Sequence, residues 1–273
     1  MDCYYINLDS ARTRRAYLEE NFSAHKREDW TLQRFAAIDV QHVSARNIPG
    51  SLRPAEKACF LSHRQLLQNC LGDDKDILVM EDDTSFGRHS CAAVEDFLRQ
   101  RNSRTWDIVY TDITVPRLET MVELIHCRHQ LAAAGQLTLI DLSNVVFAGA
   151  VAYIVNGKSK RKLAALLDCA YGLNVPYDLY LRKLIQQKQL AAFTFFPFIT
   201  SVSEAGDTSQ VQTGNGLNTD RIWSSFRKMV WVDRDLEAQK PLLREIDSRL
   251  CDEESRLFGV LFSALTSRHF RPK

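Results

Sequence analysis

Apolar and polar positions along the chain alternate between two periods, and their succession predicts strands and helices in turn. Residues 3–8, Cys-Tyr-Tyr-Ile-Asn-Leu, form a short aromatic and branched run that predicts a strand. Asp9 and Ser10 then read as a helix cap, and Ala11, Arg15, Leu18 and Phe22 recur at helical spacing to about Ala24. Residues 30–38 predict a second strand, and the polar stretch 41–53 carries the turn signal Pro49-Gly50. Pro54 opens a helix to about Leu71, with Cys59, His63, Leu66, Leu67 and Cys70 along one face. The unbroken apolar run 77–80 suits a strand buried on both faces, and it ends in Glu81-Asp82-Asp83. A helix over 91–101 and a strand over 106–110 follow. Residues 113–135 follow no clear pattern, and His126-Cys127-Arg128-His129 within them fits a surface loop or short strand. Beyond them the pattern predicts strands over 136–140, 145–155 and 191–196, and helices over 158–167 and 178–187. Residues 203–217 hold three glycines and predict a mobile loop suited to a lid. Helices are expected over 220–231 and 242–270. This alternation predicts an α/β domain over residues 1–200, with a loop and helical extension over 201–273 packing on it.

Composition narrows the function classes. The 273 residues are 45% hydrophobic, ample for a core, and 35 basic residues face 34 acidic ones. That balance lacks the basic excess of a nucleic-acid binder. Seven cysteines, an odd number without a C-x-x-C, indicate neither a disulfide framework nor a zinc knuckle and fit a reducing cytosol. The N-terminus shows no signal-peptide pattern, and no run approaches the ~18 apolar residues of a membrane span. His126-Cys127-Arg128-His129 looks like a metal cluster, but no second cluster completes a tetrahedral site.

The acid triplet is the strongest chemical signal. Three adjacent carboxylates at the end of a buried strand repel one another and are costly to desolvate. A divalent cation would remove both penalties, and in open α/β sheets ligands sit outside the carboxyl ends of the strands. The triplet therefore predicts a cation held against a nucleotide diphosphate; the plain alternative is an acidic loop in which Asp83, Thr84 or Ser85 caps the next helix. Arg12, Arg14 and Arg15 occupy a helix's first turn, where the macrodipole disfavours cations unless an anion docks. Solvated arginines are the simpler reading there. His63 lies on an apolar stripe, as a core histidine or one near the site. Gly149 within a strand marks a close approach by ligand or backbone. Asp178, just after Pro176, suits a helix N-terminus.

Four separated pieces then fall in the order of one family. They are Ile6-Asn7-Leu8-Asp9 with Arg14-Arg15, Glu56 through Leu61-Ser62-His63, the run ending in Glu81-Asp82-Asp83, and Gly149-Ala150 through Tyr153-Ile154 with Val175-Pro176-Tyr177-Asp178. Over about residues 3–200 the chain resembles glycosyltransferase family 25, which includes bacterial lipooligosaccharide galactosyltransferases and collagen galactosyltransferase domains. It departs from the pattern where Ala55 and Ala58 replace family glycines and over 113–135. The resemblance implies a GT-A, Rossmann-like fold with a mostly parallel central sheet. It also implies a Mn2+ (or Mg2+) cofactor and inverting transfer from a UDP-sugar.

Together the residues and the resemblance assign roles. Glu81 and Asp83 would ligate the metal, and Asp82 would contact the ribose or share that duty. Asn7, Asp9 and Arg15 would serve uridine and phosphate. For the base that deprotonates the acceptor, the order of choice is Asp178, His63, then Asp112. The expected donor is UDP-galactose, and the acceptor an oligosaccharide or lipid-linked glycan. The expected location is cytoplasmic, with the basic amphipathic C-terminal helices as a peripheral contact to the inner membrane. Two other classes compete: a catalytically inactive GT-A-shaped binding module, and a metal-dependent phosphohydrolase using the same acids.

Overall fold

The computed structural model of the chain describes residues 1–101, 104–168, 172–203 and 217–233. The first half runs β1 (Asp2–Asn7), α1 (Arg12–His25), β2 (Thr31–Ala36), α2 (Val40–Ala45), α3 (Pro54–Asn69), β3 (Ile77–Glu81), β4 (Thr84–Phe86), α4 (Ser90–Gln100) and β5 (Ile108–Tyr110). The second half runs α5 (Leu118–Ala134), β6 (Thr138–Asp141), β7 (Ala152–Val155), α6 (Lys160–Asp168), α7 (Tyr177–Gln186), β8 (Ala192–Phe196), β9 (Thr200–Val202) and α8 (Leu217–Val230).

Seven strands form the central sheet in the order β2-β1-β3-β7-β5-β8-β6, and β4 pairs with β9 in a separate two-stranded ribbon. β1 is parallel to both β2 and β3, and β5 is parallel to β8. β7 runs antiparallel between β3 and β5, and β6 runs antiparallel on the β8 edge. Strands β2, β1, β3, β5 and β8 thus share one direction, giving the mostly parallel α/β sheet expected of a GT-A-like fold. Side-chain alternation splits the core into two layers. Ile77, Val79, Ile108, Tyr110, Tyr153 and Val155 face one layer. Leu78, Met80, Val109, Ala152 and Ile154 face the other. The continuous apolar runs of β3 and β7 are explained by burial on both faces.

Several local expectations change. The unplaced residues 113–135 are largely the helix α5, so His126 to His129 lie on a helix rather than in a loop or short strand. Met121, Leu124 and Ile125 are buried at helical spacing, and that stripe docks on the core. His126 and Cys127 therefore sit on a helix, inside an element that the paired histidines disguised. The strand expected over 145–155 shrinks to β7. Gly149 adopts φ +83°, which ends extension, and Ala148 makes only an isolated bridge to Thr114. The polar stretch after β2 contains α2, capped where Asp39 Oδ1 accepts the His42 N–H at 2.7 Å. Asp9 and Ser10 do not cap α1, whose N-cap residue is Ala11 with no side-chain hydrogen bond.

At the C-terminal side, Ile222, Phe226, Met229 and Val230 of α8 are buried in the larger core layer. That apolar face is covered by the domain itself rather than offered to a membrane. Among the described residues no helix is long and apolar enough to cross one. Residues 204–216 of the expected loop, and the helix expected over 242–270, lie outside the described residues. Cys3, Cys59, Cys70, Cys91 and Cys127 are all free thiols.

Candidate active site

β1 and β3 lie side by side and end together, bringing Asn7 level with the acid triplet. The register pairs Ile6 with Glu81. Glu81 ends β3, and Asp82 and Asp83 form the turn before β4, so the chain changes direction within the triplet and its side chains divide. Asp82 turns toward β1 and α1. Its Oδ2 accepts Asn7 Nδ2–H at 2.7 Å, and its Oδ1 lies 3.4 Å from Arg14 Nε. Arg34 of β2 braces the same corner, donating to Asn7 Oδ1 and to the Asn7 carbonyl, each at 3.0 Å, and pairing with Asp9. Asn7, Asp9 and Asp82 thus join one network. Arg15 does not enter it. One position further round α1, it pairs with Glu19 at 3.0 Å on the exposed face, while Arg14 faces the sheet. Arg34 was missed in the sequence because a lone arginine in an edge strand carries no signal.

Glu81 turns the other way, toward α3 and α7. Its Oε1 is 3.3 Å from His63 Nε2. His63 Nδ1 is 2.9 Å from Tyr153 Oη, which is 2.8 Å from Tyr177 Oη. The imidazole also stacks on Tyr177, with centroids 4.1 Å apart and planes 5° from parallel. His63 is 1% exposed. Burial pushes it down to about 3, against a smaller opposing pull from Asp178, so the ring is neutral at physiological pH.

Asp83 completes the far side. Its carbonyl accepts Ser203 N–H at 2.7 Å at the end of β9. Its Oδ1 is buried with no hydrogen-bond partner among the described residues. Burial, then repulsion from Glu81, pushes the Asp83 carboxyl up to about 7. Burial, then Asp82 and Asp178, pushes Glu81 up to about 8. Arg227 of α8 and Arg14 oppose both shifts only partly. Asp82 is raised less, because Asn7 and Arg14 counter its burial. Partly buried carboxylates that repel one another, one with a buried orphaned oxygen, are a hard, all-oxygen donor set that fits Mn2+ or Mg2+.

Asp178 opens α7 and accepts the Gly149 N–H on Oδ2 at 2.7 Å. This is the close approach anticipated at Gly149, where a side chain would meet Thr114 Oγ1 at 3.2 Å. Its charge acts on Glu81, His63 and Cys59, which places it on the same side of the site. Asp112, at the end of β5, is fully buried beside Arg227, Oδ2 to Nη2 2.9 Å, although the pair is out of line for a hydrogen bond. Arg227 Nη1 also donates to Thr114 Oγ1 at 3.3 Å. In the sequence Arg227 looked like one of several basic residues on an amphipathic helix; nothing there distinguished it from its neighbours.

Carboxylates and guanidiniums gather at the carboxyl edge of this α/β sheet, where ligands of such folds bind. Comparison with known proteins makes this specific. The model of glycosyltransferase family 25 (LPS biosynthesis protein) matches residues 1–181, and the chain belongs to that family. It is 27% identical over 173 residues to the lipooligosaccharide biosynthesis protein lic2B of Haemophilus influenzae, an alignment spanning 59% of this chain and 62% of that protein. Among solved structures it aligns with mouse xyloside xylosyltransferase 1 in its apo form. That alignment has 12% identity, covers 69% of this chain and 70% of the other, and has a TM-score of 0.38.

Proposed function

We propose that this chain is a metal-dependent inverting glycosyltransferase that moves a hexose from a nucleotide diphosphate sugar to an oligosaccharide acceptor. UDP-galactose is the first donor to test, and assembly of lipooligosaccharide the setting. The observation that carries the reading is the divided triplet: Asp82 joined to Asn7 and Arg14, with Glu81 and Asp83 raised together and Asp83 Oδ1 orphaned. Asn7, Asp9, Arg34 and Asp82 form the nucleoside side, and Arg14 in the first turn of α1 faces the diphosphate. Glu81 and Asp83 would hold Mn2+ or Mg2+. When bound, that ion offsets charge on the departing diphosphate.

Asp178 is the base. The Gly149 N–H fixes one carboxylate oxygen and leaves the other to take the acceptor hydroxyl's proton. The acceptor oxygen then bonds to the anomeric carbon as the bond to the diphosphate breaks on the opposite face. His63 serves as a positioning residue rather than a base, because a buried neutral ring in contact with Tyr153, Tyr177 and Glu81 has little call for a proton. Arg227 adds a buried cation on the metal side of the triplet.

The phosphohydrolase reading needs a further carboxylate from another strand, and Asp112 is occupied by Arg227. The test is a panel of UDP- and GDP-sugars, with and without Mn2+, scored for release of the nucleoside diphosphate. Mn2+-dependent turnover of a UDP-hexose is expected. Phosphate release from simple phosphate esters would favour the hydrolase, and an inert panel the inactive module.

A further inference from the structure

α3 carries a second ligand chemistry toward Glu81. Cys59 and His63 are four residues apart, one helical turn, so both face the end of β3. The sulfur of Cys59, a ring nitrogen of His63 and a carboxylate oxygen of Glu81 all lie within 4.8 Å of one another. Three ligands at tetrahedral angles around Zn2+ would sit roughly 3.3–3.8 Å apart, given bonds of ~2.0–2.3 Å. The His63–Glu81 separation of 3.3 Å already matches, and Cys59, within 4.8 Å of both, needs to approach by no more than ~1 Å.

The surroundings suit ligation. Tyr153 Oη accepts from His63 Nδ1–H in the tautomer that leaves the Nε2 lone pair facing Glu81, and Tyr177 stacks on the ring. Metal-bound histidines typically have their second nitrogen held in this way. Glu81 keeps a third of its side-chain surface exposed, which leaves a way in. Thiolate and imidazole favour a softer ion than the Glu81–Asp83 carboxylates do, and divalent affinity rises steeply from Mn2+ toward Zn2+.

We propose that Cys59, His63 and Glu81 form a zinc site that shares Glu81 with the proposed Mn2+ site, so that Zn2+ and Mn2+ compete through one carboxylate. Binding releases the thiol proton to solvent, leaves the fourth position to water, and withdraws Glu81 from the oxygen-only site. The competition rests on the proposed function; the zinc site itself does not.

The test separates the two. Co2+ titrated into the metal-free full chain should give a thiolate-to-metal charge-transfer band in the near ultraviolet, and Zn2+ should abolish it. Cys59→Ser should lose the band and bind Zn2+ at least ~100-fold more weakly, beyond the ~10–100-fold usual for losing an outer contact such as Tyr153→Phe. Asp83→Asn should keep the band, since Asp83 is not in the set. No thiolate band in the folded wild-type chain, or equal Zn2+ affinity in Cys59→Ser, overturns the zinc site. His63→Gln provides a second ligand deletion should Cys59→Ser not fold. A band without Mn2+ relief of Co2+ binding refutes the sharing of Glu81 and leaves the zinc site standing. Loss of turnover in every assay would bear on the proposed function alone.

Discussion

The paired carboxyls of Glu81 and Asp83 make the metal-free protein a pH-dependent one, with a sign opposite to ordinary acid unfolding. Each group is held protonated in the fold well above its ordinary value: Glu81 from 4.5 to about 8, Asp83 from 3.8 to about 7. Between those limits the folded state keeps protons that the unfolded chain has released. Stability therefore falls as pH rises through that window and is greatest below it. Taken separately, each displacement would correspond to ~4–5 kcal/mol at ~1.36 kcal/mol per pH unit. The two do not add, because protonating one acid removes much of the repulsion that raises the other. Glu81 is also a third exposed, and water screens its share. A combined contribution of ~2–4 kcal/mol is what remains.

The perturbation is the double variant Glu81→Gln, Asp83→Asn, which keeps the shape and removes the titration. Urea unfolding with chelator at about pH 5 and about pH 8 measures it. Wild type should lose ~2–4 kcal/mol relative to the double variant across that interval, on the order of 5–10 °C in Tm. Mn2+ at ~100 times its Kd should return ~2.7 kcal/mol to wild type at the higher pH and nothing to the variant. A flat or rising difference would refute the burial of the pair. A falling difference that Mn2+ leaves untouched would refute the metal assignment alone.

Asp178→Asn retains the acceptor oxygen for Gly149 N–H but cannot take a proton, so transfer should fall ~10²–10⁴-fold with Tm and UDP–Mn2+ affinity nearly unchanged; unchanged turnover in a coupled nucleotide assay removes Asp178 from the scheme. Arg227→Met leaves Asp112 buried and unpaired and should cost ~3–5 kcal/mol in urea unfolding, with the double variant Asp112→Asn, Arg227→Met recovering most of it; equal loss in both would mean the guanidinium acts through packing. Asp107 accepts from Ser159 Oγ at 2.6 Å and from Lys162 Nζ and Ala191 N at 2.8 Å each, so Asp107→Ala should destabilise by ~3–5 kcal/mol without altering Mn2+ affinity in calorimetry. Burial raises the Asp107 carboxyl, but those donors outweigh it and hold it below 3.8; its stabilisation is present above that pH and lost as pH falls through the folded value.

The order of elements was legible because periodicity and burial agree. The runs at β1, β3 and β7 bury both faces, and α3 and α7 carry narrow apolar stripes. The errors occurred where a local cue outweighed the pattern. In α5 a conspicuous pair of histidines hid an ordinary helical repeat, and around Gly149 a hydrophobic run continued past the point where positive φ ends the strand. Residues of the site that lie at strand ends, Asn7 and the triplet, could be read because position and chemistry coincide there. Arg34 and Arg227 could not. Their importance comes from contacts 27 and 115 positions away, with Asn7 and Asp112, and no short-range pattern encodes those.

The division of the triplet follows from the same geometry. The chain turns at Asp82-Asp83 between β3 and β4, and that turn sends the three carboxyls to different neighbours. Asp82 therefore belongs with β1 and α1, where an amide and a guanidinium counter its charge. Glu81 and Asp83 are left together on the other side, where Arg227 and Arg14 counter them only in part. In such a setting the pair must either hold protons or hold a cation. Protons satisfy it only below about pH 7–8, so near neutrality the proposed divalent ion would meet a pair that is already being emptied of protons. Fixing Glu81 against His63 sharpens this, since a carboxylate oriented before the ion arrives loses little freedom on binding it. The same contact places Cys59 and His63 within reach of that carboxylate. Under the two proposals, the arrangement that would prepare Glu81 for a hard ion would also expose it to a softer one, and the choice between them would rest on which ion is present.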